Sequence, residues 1–232
     1  MPYVFLVDAD DTLLDFHGVS EEGLRASFKE VGLAWKEEYL TVYRKVNTAL
    51  WEMLERREIT RSELMNDRFS RYLAALGITE VSGESMNKVY VRYLSTMPRY
   101  LPGAKEFLDE LKKLGKVYVV TNGTAFVQES RFKILNLQAE VEDIFISEKI
   151  GFDKPAKGYT DYVISHIEGF SPEKAVWIGD SLSADIKAAN DAGILSIWFN
   201  PRGQARKEGI APNYEVDSFS EILQILKRIV DK

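Results

Sequence analysis

The chain has 232 residues, 45% hydrophobic and 28% charged, with 30 basic against 36 acidic side chains and a net charge of −6. A chain of this size buries enough surface to fold unaided, and the absence of cysteine excludes a disulfide framework, a thiolate zinc site and a cysteine nucleophile. The acidic balance disfavours a nucleic-acid polymer as partner, since such binding draws on clustered Lys and Arg. No apolar run approaches the roughly 18 residues of a membrane span. The opening MPYVFLVDADDTLL lacks the basic start and continuous apolar stretch of a signal peptide, so no membrane partner and a cytoplasmic location are expected.

In chain order, residues 3–7 (YVFLV) form a short apolar, β-rich run that fits a strand buried on both faces, as in parallel sheets. From Asp15 to Pro98 the pattern is helical throughout. Leu24, Phe28 and Val31 share one helical spacing; Tyr39, Val42, Val46, Leu50 and Met53 share another. Thr60 with Glu63 reads as a capping box, its helix closed by Gly77, and a further helix covers Ser85 to Thr96. Beyond Pro98, strands and helices alternate. A helix over 103–114, with Gly115 at its stop, precedes the strand 116–120, and a helix near 125–135 precedes the strand 143–147. A helix at 157–167 precedes the strand 175–179, a helix at 183–192 precedes the strand 194–199, and a last helix covers 219–230. Repeated βα units predict a parallel sheet covered by helices, and the first strand must join it to be buried. The expected fold class is α/β: a Rossmann-like parallel-sheet core, 1–14 and 99–232, with an inserted all-helical cap, 15–98.

Ligands of open α/β sheets bind at the carboxyl ends of the strands. Strand one ends in Asp8-Ala9-Asp10-Asp11-Thr12, and strand 116–120 in Thr121-Asn122-Gly123. Lys154-Pro155 follows strand 143–147, and strand 175–179 ends in Gly179-Asp180, with Asp185 shortly after. Any one of these alone reads as a turn former or a solvated charge. Their joint occurrence, each at a strand end, marks one rim for chemistry. Carboxylates gathered this way repel one another unless a cation sits among them, and oxygen ligands without His or Cys suit Mg²⁺. His17 and His166 show no ligand spacing, and no G-x-S-x-G elbow supports a serine triad.

Asp8-x-Asp10-x-Thr12, Thr121, Lys154-Pro155 and Gly179-Asp180-x4-Asp185 together resemble the four motifs of the haloacid dehalogenase (HAD) superfamily of phosphohydrolases, over essentially the whole chain. Within it, DADDTLLDF, NTALWEMLERREITRSEL and GDSLSADIKAANDAG are similar to the pyrimidine 5'-nucleotidase group. The resemblance implies a Mg²⁺-dependent phosphomonoesterase. Asp8 is then the nucleophile, forming an aspartyl-phosphate, and Asp10 the acid that protonates the leaving oxygen and the base that activates water. Asp8, the Asp10 carbonyl and Asp180 are the implied metal ligands, with Asp185 behind them orienting a metal-bound water or Lys154. Thr121, Asn122 and Gly123 are the implied phosphate contacts, and Lys154 neutralises the transferring group. Asp10 separates the chain from the haloalkanoate dehalogenases, which lack an acid there; Asp11 replaces the glycine common in many sugar-phosphate enzymes and has no assigned role.

The expected substrate is a small phosphorylated metabolite, a nucleoside 5'-monophosphate foremost. Phe16, just past the first motif, is the candidate for stacking on a base, with Asn47 or Trp51 of the cap beside it. A phosphoglycolate or sugar-phosphate phosphatase is the alternative within the superfamily. A phospho-accepting signalling module is the alternative of another class, though Asp10 is spaced to hydrolyse a phosphoaspartate, not preserve it.

Overall fold

A computed structural model describes residues 2–206 and 208–230. Two compact units are present, one formed by Met1–Phe16 with Pro98–Lys232 and the other by His17–Met97.

The first unit is built on a six-stranded sheet, β1 (Tyr3–Val7), β2 (Gly115–Thr121), β3 (Asp143–Ile146), β4 (Ala175–Gly179), β5 (Leu195–Phe199) and β6 (Tyr214–Val216), in the order β3-β2-β1-β4-β5-β6. Every pairing is parallel. The chain winds outward from β1 through β2 to β3, then returns to the other side of β1 to lay down β4, β5 and β6. Strand order therefore reverses between β1 and β4, where α/β sheets open a crevice. Val7 pairs with Ile178 in register, so the strand ends carrying Asp8 and Asp180 lie side by side.

Alternation along the strands explains the layering. Phe5, Val7, Val119 and Ile178 face a core that includes Phe107, Leu108 and Leu111 of α5 (Ala104–Leu114) and Phe132 of α6 (Ala125–Leu135). Ile222 and Leu226 of α10 (Phe219–Val230) complete that layer. Val4, Leu6, Val120 and Trp177 face the opposite core, with Tyr159 and Val163 of α8 (Lys157–Ser165) and Ala188 and Ala189 of α9 (Lys187–Asp191). Between β3 and α8 lies the short α7 (Ser147–Ile150).

The other unit is all-helical beyond Phe16: α1 (Phe16–Glu30), α2 (Glu38–Glu55), α3 (Arg61–Leu76) and α4 (Gly83–Thr96). The capping box at the start of α3 is complete, with Glu63 N donating to Thr60 Oγ1 at 3.2 Å and Thr60 N to Glu63 Oε2 at 2.7 Å. Gly77 ends α3 at φ +68, a left-handed turn open to glycine. Packing among Phe28, Tyr43, Phe69, Tyr72 and Tyr90 forms the aromatic core, with Phe69 and Tyr90 centroids 5.1 Å apart. Among the described residues no helix is long and apolar enough to cross a membrane.

Several expectations shift in detail. α2 buries Tyr43, Leu50 and Leu54, so its inward face is rotated from the Tyr39–Met53 stripe. Gly115 stands at the stop of α5, as expected, but it is also the first residue of β2, extended at φ 174. A Cβ there would collide with the Tyr3 carbonyl, so glycine serves the close approach of β1 and β2. The helix expected at 183–192 opens as a π-helical turn, Leu182–Ile186, before α9 begins. β6 is a three-residue edge strand, too short for its alternation to register as a pattern.

Candidate active site

The four motif segments meet at the carboxyl rim of the sheet, around Lys154. Its side chain is 1% exposed and spends all three protons: on Asp8 Oδ1 at 2.6 Å, on Asp185 Oδ1 at 2.6 Å and on the Val120 carbonyl at 2.8 Å. Asn122 fixes the lysine backbone from both sides, accepting from Lys154 N at 2.8 Å and donating to Lys154 O at 2.9 Å. The Lys154–Pro155 peptide bond is cis.

Asp185 is as deeply buried as the lysine. Oδ1 also takes the Trp177 indole N–H at 3.3 Å, and Oδ2 takes Ser181 N at 3.2 Å. The π-helical turn carries this carboxylate against the β4 terminus. A Cβ at Gly179 would run into it, so glycine is required at that strand end.

Asp8, Asp180 and Asp185 each offer an oxygen within 4.8 Å of the others. Against these three carboxylates stand Lys154 and, more distantly, Arg202, 3.6 Å from Asp180 Oδ2 and 3.3 Å from Asp11 Oδ1. Burial first, and then the excess of negative charge, set the proton affinities. Burial pushes the Asp8 carboxyl up, Lys154 pulls it back and Asp185 pushes it up again, leaving it at about 8. Burial, then repulsion from Asp8, Asp11 and Asp185, holds Asp180 well above the usual carboxylate range. Burial opposes the charge on Lys154, but Asp185 and Asp8 outweigh it and keep the lysine above its ordinary value. A cluster of hard oxygens that is short of positive charge has the donor set that suits Mg²⁺.

That electrostatic state has a measurable consequence. Protons and a divalent cation compete for Asp8, and raising the pH through about 8 removes the proton. The gain in thermal midpoint on adding Mg²⁺ is therefore expected to grow between about pH 6 and pH 8. A gain that shrinks over this range in differential scanning fluorimetry would contradict the assignment.

Asp10 stands apart from the acidic cluster. Its Oδ1 accepts from Arg131 Nη1 at 2.6 Å and its Oδ2 from Gln128 Nε2 at 2.8 Å. Gln128 Nε2 also donates to Thr121 Oγ1 at 2.8 Å, and Gln128 Oε1 accepts from Arg131 Nη1 at 2.9 Å. Thr121 Oγ1 accepts from Gly123 N at 3.1 Å as well. A Cβ on Gly123 would meet the Gln128 side chain, so this glycine makes room for the amide. Asp11 takes the left-handed region at φ 59, where its N–H reaches the Leu14 carbonyl at 2.7 Å and its carboxylate meets Arg202. The Phe16 ring lies with its centroid 5.9 Å from the Arg131 guanidinium carbon.

The structure thus gathers Asp8, Lys154, Asp180 and Asp185 into one cluster and Asp10 and Thr121 into one hydrogen-bond chain. Asn47 and Trp51 belong to the helical unit: Asn47 Oδ1 is buried without a partner among the described residues, and Trp51 packs beside Leu50 and Leu54, under the Arg61 guanidinium at 5.4 Å. Gln128, Arg131, Trp177 and Arg202 were not anticipated. For the first two a signal exists: Gln128 and Arg131 sit three apart on α6, between Val127 and Phe132, on the face that the helix buries.

The family of haloacid dehalogenase-like hydrolases matches residues 4–193. Over 100% of its length the chain is 38% identical to the pyrimidine 5'-nucleotidase PynA of Streptococcus pneumoniae, covering 99% of that protein. It is 28% identical to the pyrimidine 5'-nucleotidase YjjG of Escherichia coli, over 94% of this chain and 95% of that one. A magnesium-bound crystal structure of the HAD-hydrolase YfnB from Bacillus subtilis superposes with a TM-score of 0.91 at 35% identity, covering 97% of this chain and 98% of that one.

Proposed function

The chain belongs to the haloacid dehalogenase-like hydrolases, and from that premise we propose that it is a Mg²⁺-dependent phosphatase of nucleoside 5'-monophosphates, pyrimidine nucleotides foremost. The observation that carries the chemistry is the cluster of Asp8, Asp180 and Asp185 around one fully engaged ammonium, Lys154. The choice of nucleotide is supported by the likeness to PynA and YjjG over nearly their whole length.

Asp8 attacks phosphorus through a carboxylate oxygen, and the bond to the leaving alcohol oxygen breaks as Asp10 delivers a proton to it. Water then attacks the aspartyl-phosphate, giving its proton to Asp10 and releasing inorganic phosphate and free Asp8. Thr121 Oγ1 already accepts two N–H bonds, so its own proton is the one left for a phosphoryl oxygen. Lys154 draws charge from Asp8 and from the phosphoryl group. Asp8, Asp180 and the Asp10 carbonyl would hold Mg²⁺, whose charge offsets repulsion between nucleophile and phosphate. Asp185 serves from behind, since both its oxygens are spoken for by Lys154, Trp177 and Ser181. Phe16 stacks on the base.

The test is phosphate release from dUMP, dTMP, UMP, AMP, phosphoglycolate, hexose phosphates and p-nitrophenyl phosphate, with and without Mg²⁺. Activity that needs Mg²⁺ and favours the pyrimidine nucleotides is expected. Replacing Phe16 by Ala should raise KM for nucleotides about 10-fold, the scale of one lost stacking contact, and leave KM for p-nitrophenyl phosphate nearly unchanged. Activity confined to phosphoglycolate or sugar phosphates would overturn the substrate class; no hydrolysis of any phosphomonoester would overturn the reaction.

A further inference from the structure

We propose that Gln128 and Arg131 are positioning residues that hold Asp10 as the proton acceptor of the second half-reaction and tie it to the hydroxyl of Thr121. This rests on the reading of Asp8 as nucleophile and Asp10 as acid and base.

Every contact in the chain has a direction. An amide N–H and a guanidinium N–H can only donate, so Asp10 meets Gln128 and Arg131 with both oxygens as acceptors. That is the form that takes a proton from water. One oxygen is fixed by each donor, so the carboxylate can neither swing nor rotate without breaking a charge-assisted bond. Gln128 spends its second N–H on Thr121 Oγ1, so one amide sets the spacing between the proton acceptor and the phosphate-binding hydroxyl. Its oxygen, turned to Arg131 Nη1, fixes which end of the amide faces Asp10. Both side chains rise from one face of α6, directly after the strand that ends in Thr121.

The arrangement is poor packing. Arg131 is 1% exposed, yet its Nε and Nη2 find no partner among the described residues. Apolar side chains on this buried face would avoid unpaired charged donors. What the pair provides instead is a fixed orientation for Asp10.

In the step concerned, a water oxygen bonds to phosphorus, its proton passes to Asp10, and the bond between phosphorus and the Asp8 oxygen breaks. Asp8 returns as a carboxylate and phosphate departs. In the next turnover Asp10 passes that proton to the leaving alcohol.

Rapid acid quench separates the two half-reactions, with UMP as substrate and Mg²⁺ present. In Gln128→Met and Arg131→Met the decay of the phosphorylated enzyme should slow about 10- to 100-fold, the scale of a misplaced reacting group. Its formation, which also uses Asp10, should slow by less than its decay, so the phosphorylated enzyme accumulates during turnover. Gln128→Glu, which keeps the shape but loses the donor, should behave as Gln128→Met does. Arg131→Lys, which keeps a cation for Asp10 Oδ1, should recover most of the decay rate. Should either methionine variant not fold, these two conservative variants decide the matter. Equal slowing of both half-reactions, or unchanged decay, overturns the proposal while leaving the nucleophile and acid–base assignments standing. A wild-type enzyme that forms no phosphorylated intermediate, or an Asp10→Asn variant with unchanged decay, overturns those assignments and the proposal with them.

Discussion

Replacing Asp8 by Asn is expected to lower kcat by about 10⁴-fold or more, because the amide cannot form an acyl phosphate that turns over. The fold should survive. The amide oxygen that the substitution leaves at this position can still accept from Lys154, which keeps Asp185 and the Val120 carbonyl as its other partners. Burial and the repulsion from Asp185 and Asp10 make Asp8 costly to ionise in the metal-free protein. Its neutral replacement should therefore melt no lower than the wild type without Mg²⁺, and should respond less to added Mg²⁺. Steady-state kinetics with a parallel melting series reads both effects. Residual activity within about 10-fold of wild type would remove Asp8 from the chemistry.

The second large effect belongs to Lys154→Met. Two carboxylates, Asp8 and Asp185, share this ammonium in a buried setting, and the Val120 carbonyl is its third partner. Removing one member of a buried ionic group leaves the others uncompensated, at a cost of about 3–5 kcal/mol. Denaturant unfolding of the metal-free protein should show that loss, and kcat should fall by about 10²- to 10³-fold where the protein remains folded. Changing Asp185 to Asn in the same chain should return part of the stability, since it removes one of the stranded charges. A loss under about 1 kcal/mol for the single variant would show that solvent reaches the cluster and screens it.

Much of the sheet was legible because its central strands are buried on both faces. YVFLV, KVYVV and AVWIG leave little alternative to parallel strands; the first and third run into Asp8 and Asp180 of the cluster, the second into Thr121. The capping box at Thr60 and Glu63 marks its helix start with local signals alone, and the structure carries both of its bonds. What escaped the sequence is long-range. Gln128 and Arg131 are marked locally only by sitting three apart between the apolar Val127 and Phe132, a weak sign because a glutamine and an arginine on a helix ordinarily face water. Their burial follows from the position of α6 over Asp10, which lies 118 and 121 residues earlier in the chain. Arg202 reaches Asp11 across 191 residues from a loop with no pattern of its own. Asp11, without a role in the sequence, gains a left-handed backbone and a cationic partner only once the loop after β1 is folded. β6, with three residues, is an edge strand defined by its neighbour β5 and not by its own composition.

The measurement closest to the central claim is to mix the enzyme with ³²P-labelled UMP and Mg²⁺, quench in acid within the first turnover, and map the label by peptide mass spectrometry. A phosphoryl group on the peptide containing Asp8, appearing and decaying at least as fast as kcat, is the predicted result. Phosphate released at full rate with no label on Asp8, or with label on another residue, would contradict it.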